Sequence, residues 1–153
     1  MTATEYDLQT LFRFFNEVGI VAQLSGNAFE KVMPEGMTLP QFVVLNHLIR
    51  VGEGRTPLSI AQAMQVTKGA MTNTLGHLEG KSFIVITPDP HDRRSKRVSL
   101  TPQGRAAHED AIRALGPELR DLAGEIPLVG VIETLPVLET LRKVLDARRN
   151  PKS

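Results

Sequence analysis

A short β-hairpin with a basic tip constrains this chain more than any other feature of its sequence. Two β-rich runs, Phe83–Thr87 and Lys96–Leu100, are separated by the polar segment PDPHDRRS. Its two prolines cannot donate to a strand ladder, so the segment is predicted to be an exposed turn that presents the Arg-Arg pair. Thr101 and Pro102 then open a new helix, as its N-cap and its first helical residue.

Two short helices joined by a tight turn come directly before the hairpin. Thr56 is predicted to cap the first helix and Thr67 the second, which ends near Lys81. The turn falls at Gln65–Val66, and Ser82 takes the position after the second helix where a left-handed backbone is common. The first helix is predicted to face inward with Leu58, Ala61 and Met64. This pattern is a helix-turn-helix, and with a basic two-stranded finger behind it the unit suits a DNA groove and its flanking phosphates.

The N-terminal part of the chain is predicted to form two helices. The first runs from about Tyr6 to Met33 and carries two apolar stripes, so it is covered on more than one side. The second runs to about Val51. It opens with a capping box in which Thr38 is the N-cap and Gln41 stands at the third helical position.

The C-terminal part is predicted to form two more helices, each affected by a proline. Apolar spacing indicates a helix over Thr101–Ala123, which Gly116–Pro117 should kink or break. The last helix is expected to start only near Ile132, because this start leaves Pro136 in its first turn.

The predicted fold is therefore mainly α with a small β-wing. Residues 37–100 are expected to form a winged helix-turn-helix DNA-binding domain, and residues 1–36 and 101–153 a helical dimerisation region. The terminal helices carry more apolar surface than the central unit can cover. A homodimer built from both chain ends explains this surplus.

Composition excludes several classes of protein. The 153 residues contain no Cys, so disulfides and thiolate nucleophiles are excluded, and no apolar run approaches the roughly 18 residues of a membrane span. The polar N-terminus lacks a signal-peptide layout, which predicts a cytoplasmic protein. Net charge is only +1, but residues 82–105 carry five basic and two acidic side chains. Positive charge therefore collects around the hairpin, although charge alone would favour a solvated charged hairpin without a partner.

The candidate DNA-contacting residues lie on the second helix of the helix-turn-helix and on the hairpin. Asn can pair with adenine and Thr can meet a thymine methyl group in the major groove. At the hairpin tip Arg94 is expected to enter the minor groove, with its guanidinium held by Asp92, while its basic neighbours meet phosphates. The alternative is a helix cap and solvated side chains. The full set is Thr67, Lys68, Thr72, Asn73, His77, Arg93, Arg94, Lys96 and Arg97.

No pattern for catalysis or metal binding is present in the sequence. The four histidines have no metal-ligand spacing, and there is neither a nucleophile motif nor a glycine-rich phosphate loop. The chain is predicted not to be an enzyme and to use no cofactor or metal.

The segment DPHDRRSKRVSLTPQG resembles the wing signature of the MarR family of bacterial transcriptional regulators, Asp-x-Arg-x-x-x-Val-x-Leu-Thr-x-x-Gly. The matching residues are Asp92, Arg94, Val98, Leu100, Thr101 and Gly104. The segments TLPQFVVLNHL and PLSIAQAMQVTKGAMTNTLGHLEGKSFI are similar to the family's second helix and its helix-turn-helix. The resemblance covers about Leu8 to Leu145. Asn73 departs from it where many members have Arg, and Ser82 where Gly is usual.

The resemblance implies a homodimeric repressor that binds a palindromic operator and is released by a small, often phenolic, ligand. By this analogy alone, Phe15, Val44 and His47 are named as ligand-binding candidates. A rival interpretation is a winged-helix protein-interaction module that has lost DNA binding. Strong salt dependence of duplex binding would distinguish the two.

Overall fold

The computed structural model describes residues 2–34, 36–52 and 54–149. The elements are α1 (Glu5–Val32), α2 (Leu39–Val51), α3 (Pro57–Met64), α4 (Lys68–Gly80), β1 (Ile84–Pro88), β2 (Lys96–Leu100), α5 (Pro102–Glu125) and α6 (Leu128–Arg149). This order confirms the predicted fold class. The chain divides into two compact units, one up to Leu115 and one from Gly116 onward. The predicted dimerisation segments include residues 1, 35 and 150–153, which lie outside the described residues.

Threonine caps start the helices where the sequence predicts them. The side-chain oxygens of Thr38, Thr56 and Thr67 accept from backbone N–H groups three residues later, at 3.4, 3.0 and 3.1 Å. The Thr101 hydroxyl accepts in the same way from Gly104 at 2.9 Å. Each cap satisfies an N–H group that the first helical turn leaves without a partner.

The core of the first unit lies between α2, α3, α4 and the hairpin. Its fully buried large side chains come from all four of these elements: Val44, Leu45, Leu48, Ile60, Leu75, Leu78, Ile84 and Val98. The predicted inward face of α3 is wrong at Leu58, which is 55% exposed, while Ile60 is fully buried. In an eight-residue helix, apolar spacing fits two faces nearly equally, and the contacts of α4 and β2 select one of them.

Pro117 and Pro136 are both tolerated inside the C-terminal helices. α5 continues through Pro117 without a break, and α6 starts at Leu128 rather than near Ile132, so Pro136 lies inside it. The predicted start of α6 is therefore wrong, and of the kink or break predicted at Gly116–Pro117 the break does not occur. A proline removes one backbone hydrogen bond, and an exposed helix can leave the freed carbonyl group to solvent. No helix within the described ranges is long and apolar enough to cross a bilayer.

The hairpin packs against the start of α5 at a point where only glycine fits. β1 and β2 pair antiparallel with Ile84 opposite Leu100. A Cβ atom added at Gly104 would lie 2.0 Å from the carbonyl oxygen of Phe83. At this same end of β1, Ser82 has a φ of 61°, which confirms the left-handed position predicted after α4.

Candidate nucleic-acid interface

The turn between α3 and α4 brings the two helices together with few residues. Gln65 ends α3 in the left-handed region, with a φ of 53°. The backbone N–H groups of Gln65 and Val66 donate to the carbonyl oxygens of Gln62 and Ala61 at 3.2 and 3.1 Å. Thr67 then caps α4, so α3 and α4 form the predicted helix-turn-helix.

α4 has one buried face and one open face. Met71, Leu75 and Leu78 are buried in the core. The open face carries exposed polar side chains interspersed with glycines, where an added Cβ atom would find no other atom within 4 Å. The open face comprises Lys68, Gly69, Thr72, Asn73, Gly76, His77 and Gly80. Because glycine has no side chain, the backbone of α4 can approach a flat or grooved partner closely at these positions.

Side-chain chemistry on this open face is available to a partner. Asn73 and His77 are exposed. The Thr72 hydroxyl donates to the backbone oxygen of Lys68 at 2.9 Å, so its hydrogen atom is already used within the helix. Its oxygen can still accept a hydrogen bond, and its methyl group can make apolar contacts.

The wing, which is the β1–β2 hairpin with its tip, is anchored at its base by a third segment next to β2. Arg55 forms an isolated antiparallel bridge with Val98 of β2. The backbone N–H of Val98 donates to the Arg55 oxygen at 2.8 Å, and that of Gly54 to the Val98 oxygen at 3.1 Å. Because backbone hydrogen bonds hold both sides of β2 near its buried end, the tip projects from a firm base.

Asp92 shapes the wing tip through the backbone. Its Oδ1 atom accepts from the backbone N–H of Arg94 at 3.0 Å, and its carbonyl oxygen accepts from the N–H of Ser95 at 2.9 Å. The predicted contact from Asp92 to the Arg94 guanidinium is thus replaced by a bond to the Arg94 backbone. The resulting turn presents both Arg93 and Arg94 as exposed side chains.

An ion pair that the sequence reasoning missed holds the wing from inside. Asp89 is buried, and its carboxylate accepts from the backbone N–H of His91 and from Arg97 Nε, both at 2.8 Å. These bonds, first that from His91, lower the pKa of Asp89, while burial opposes the shift. Arg97 Nη1 also donates to the Gly54 oxygen at 3.2 Å. The register of the hairpin could have revealed this pair, because it sets Asp89 diagonally across from Arg97.

The candidate DNA-contacting residues therefore fall into two groups. Arg97 makes contacts within its own chain through Asp89 and Gly54. The others have exposed side chains along the open face of α4 or on the wing; they are Thr67, Lys68, Thr72, Asn73, His77, Arg93, Arg94 and Lys96.

An apolar groove lies between α2 and the helix-turn-helix. Its volume is about 370 Å³, and it is lined by Leu39, Pro40, Val43, Val44, Met64, Val66, Ala70, Met71 and Thr74. Of the three ligand-binding candidates, Val44 lines this groove. Phe15 is exposed on α1, and His47 is buried on α2 next to Arg50.

The histidines are dispersed over the molecule. His77 and His91 are exposed, whereas the His108 ring stacks on Phe42 with ring centroids 5.2 Å apart and bonds to Asn46 at 3.1 Å. Burial lowers the pKa of His108. Among the described residues, no three His, Asp or Glu side chains are grouped so that they could hold a metal ion.

Comparison with known proteins agrees with this geometry. The MarR family model matches residues 35–95, which extend from α2 to the wing tip. The multiple antibiotic resistance protein MarR of Salmonella typhimurium is 33% identical over 112 residues, which cover 73% of this chain and 76% of that protein. The chain belongs to the MarR family of transcriptional regulators. Its helices α3 and α4 are thus the helix-turn-helix of a MarR-family protein, and its hairpin is the wing.

One further relative and one solved structure extend the comparison over most of the chain. The transcriptional activatory protein BadR of Rhodopseudomonas palustris is 29% identical over 141 residues, covering 91% of this chain and 78% of BadR. A crystal structure of a mutant MarR from E. coli, complexed with operator DNA, has a TM-score of 0.68 at 23% identity. The structural alignment covers 91% of this chain and 99% of the MarR chain. This second likeness shows the shared fold.

Proposed function

We propose that this MarR-family chain is a cytoplasmic, homodimeric regulator that binds a palindromic operator in double-stranded DNA. The observation that carries the proposal is the pairing of an open polar face on α4 with a wing whose tip exposes Arg93 and Arg94. A helix of this kind fits the major groove, and a basic hairpin beside it can reach the phosphates or the minor groove. The MarR relative solved with operator DNA has the same fold.

Base reading is assigned to the first half of α4. Asn73 lies opposite the buried Met71 and Leu75, so its amide points away from the winged lobe, which is formed by α2, α3, α4 and the hairpin. The amide can pair bidentately with adenine. Gly69 and Gly76 flank it along the same face and add no bulk. Lys68 and Thr67 stand at the start of α4, where they can meet the phosphate backbone.

Arg94 is assigned to the minor groove and Arg93 and Lys96 to phosphates. All three side chains are exposed, and the Asp92 turn fixes the backbone beneath Arg94. Arg97 is assigned a lesser role in DNA contact, because its guanidinium is already engaged by Asp89 and Gly54. A guanidinium that must leave an internal ion pair gains less from a phosphate.

The proposed homodimer rests on apolar surface that the single chain leaves open. All residues of α1 are described and none is buried; Phe12 is 73% and Leu24 65% exposed. α6 likewise has no buried residue, and Val129 and Ile132 are 67% and 65% exposed. Apolar patches of this extent mark protein interfaces. Residues 1–36 and 101–153 are therefore assigned to dimerisation and residues 37–100 to DNA binding.

Release by a small aromatic or phenolic ligand is proposed for the groove beside α4. Its lining includes one hydroxyl group, that of Thr74, which donates to the Ala70 oxygen at 3.1 Å, and is otherwise apolar. A ligand that binds more tightly when α2 and α4 are differently spaced would lower operator affinity by linkage. In this mechanism the protein is a repressor and the ligand an inducer.

Selection of bound duplexes from a random pool tests the proposed function. The enriched site should be an approximate palindrome with half-sites separated by about one helical turn, or roughly 10 base pairs. Affinity should fall steeply with salt, because each released phosphate counterion adds to the slope. Enriched sites without dyad symmetry would contradict the homodimeric reading. Absence of salt-dependent duplex binding would instead favour a protein-interaction module.

A further inference from the structure

One lysine links the end of α4 to the first turn of α2 and to the segment that precedes it. Lys81 follows the last residue of α4, and its ammonium donates to Gln41 Oε1 at 2.7 Å and to the carbonyl oxygen of Gly36. The same ammonium lies 6.0 Å from the centroid of the Phe83 ring. A single cation therefore connects α4, the connection between α1 and α2, and the first turn of α2.

The buried side-chain oxygen of Gln41, on α2, has Lys81 as its hydrogen-bond donor. Gln41 is 6% exposed, so its amide oxygen is largely shielded from water. Thr38 forms its half of the predicted capping box, but Gln41 Oε1 accepts from Lys81. Removing the ammonium would deprive a buried acceptor of a charged donor, which is among the more costly losses of a hydrogen bond.

The Gly36 carbonyl group that accepts from Lys81 lies in the turn between α1 and α2. α1 ends at Val32, and the backbone N–H of Met37 donates to the Pro34 oxygen at 2.9 Å, which turns the chain toward α2. Gly36, in this turn, has a φ of 79°. A cavity of about 170 Å³ borders the turn and Lys81, so packing alone does not immobilise the lysine.

We infer that Lys81 is a positioning residue that couples the orientation of α1 to that of α4. The inference rests on the proposed function, in which α1 belongs to the dimerisation region and α4 reads DNA. Two recognition helices must lie one helical turn apart to occupy both half-sites, so a flexible joint between α1 and α4 relaxes that spacing. Lys81 thereby helps to set the spacing between half-sites that the homodimer accepts.

The test compares Lys81→Met with Lys81→Arg and with the control Lys31→Met, which removes an exposed ammonium from the last turn of α1. Each variant is titrated with the selected palindrome, with the same palindrome shortened or lengthened by one base pair between half-sites, and with a single half-site. Lys81→Met should bind the palindrome about tenfold more weakly, within the usual range of coupling between sites. It should also discriminate less between spacings, with unchanged half-site affinity and salt slope. Lys81→Arg should restore most of the spacing preference, and Lys31→Met should behave as the parent chain.

A second readout needs no DNA. The chain has no cysteine, so nitroxide labels can be placed at Glu30→Cys in α1 and His77→Cys in α4, and labelled chains diluted with unlabelled ones. The distribution of distances between the two labels should be broader in Lys81→Met and return to its parental width in Lys81→Arg.

Each alternative role of Lys81 predicts a different result. A phosphate contact would lower half-site affinity and reduce the salt slope by about one. A purely structural role would lower the melting temperature with spacing preference and label distances unchanged. Either result overturns the inference. If the parent chain binds no duplex, the proposed function has failed, and the label distances alone decide whether Lys81 couples α1 to α4.

Discussion

The winged lobe and helix α1 differ in what they bury. The lobe has side chains such as Leu45 and Ile60 with no exposed surface, whereas α1 is 28 residues long and has no buried residue. The lobe can therefore be stabilised by its own contacts, while the apolar face of α1 needs a second surface to cover it. Stability and dimerisation should consequently respond to different substitutions.

The largest expected effect is within the lobe, at the junction of the wing and α5. Gly104→Ala should lower the free energy of unfolding by about 2–3 kcal/mol, since the new methyl group meets the Phe83 carbonyl group and Leu100. Urea denaturation measures this loss. Gly76→Ala is the matched control: its methyl group meets nothing, so stability should rise slightly, by up to about 1 kcal/mol. Equal losses in the two variants would contradict the packing described for Gly104.

The second effect concerns α1. Phe12→Ser should raise the dissociation constant of the proposed homodimer at least about tenfold, because an isologous interface would lose the aromatic ring from both copies. Sedimentation at several protein concentrations measures this change. Gln23→Ser, on the same helix, should leave the dissociation constant nearly unchanged. A Phe12→Ser chain that dimerises like the parent would place the interface elsewhere.

The smallest effect concerns His108, at the contact between α5 and α2. Burial lowers the pKa of His108, so below about pH 6.5 the unfolded chain binds more protons than the folded one. Stability should then fall as pH drops from about 7.5 to about 5.5. Glu109, which opposes the shift, and Arg105, which adds to it, lie on the same helix. His108→Gln should reduce the fall in melting temperature over this range, and an identical fall in both chains would contradict the assignment.

Sequence reasoning succeeded where short-range chemistry decides the structure. Thr38, Thr56 and Thr67 mark helix starts because a side-chain oxygen and an N–H group three residues later suffice. The positive φ at Ser82 follows in the same way from the end of α4. The wing signature and the helix-turn-helix spacing were enough to identify the family, which the comparisons confirm.

Sequence reasoning failed where distant contacts or solvent decide. Leu58 and Ile60 are equally apolar, and only the packing of α4 and β2 against α3 determines which is buried. Pro117 and Pro136 remain at exposed positions inside long helices, where water can satisfy the freed carbonyl groups. The Lys81–Gln41 bond joins residues 40 positions apart, and no local pattern marks such a pair.

Substitution of Arg94 tests most directly whether the wing contacts DNA beside α4. Operator titrations at several salt concentrations should compare the parent chain with Arg94→Ala and with the conservative variant Arg94→Lys. The alanine variant should bind at least about tenfold more weakly, with a salt slope lower by about one and an unchanged melting temperature. Lysine should recover the slope but not the full affinity, because a compact ammonium enters a narrow minor groove less readily than a planar guanidinium. Parental affinity and salt slope in Arg94→Ala would contradict the claim that the wing contacts DNA.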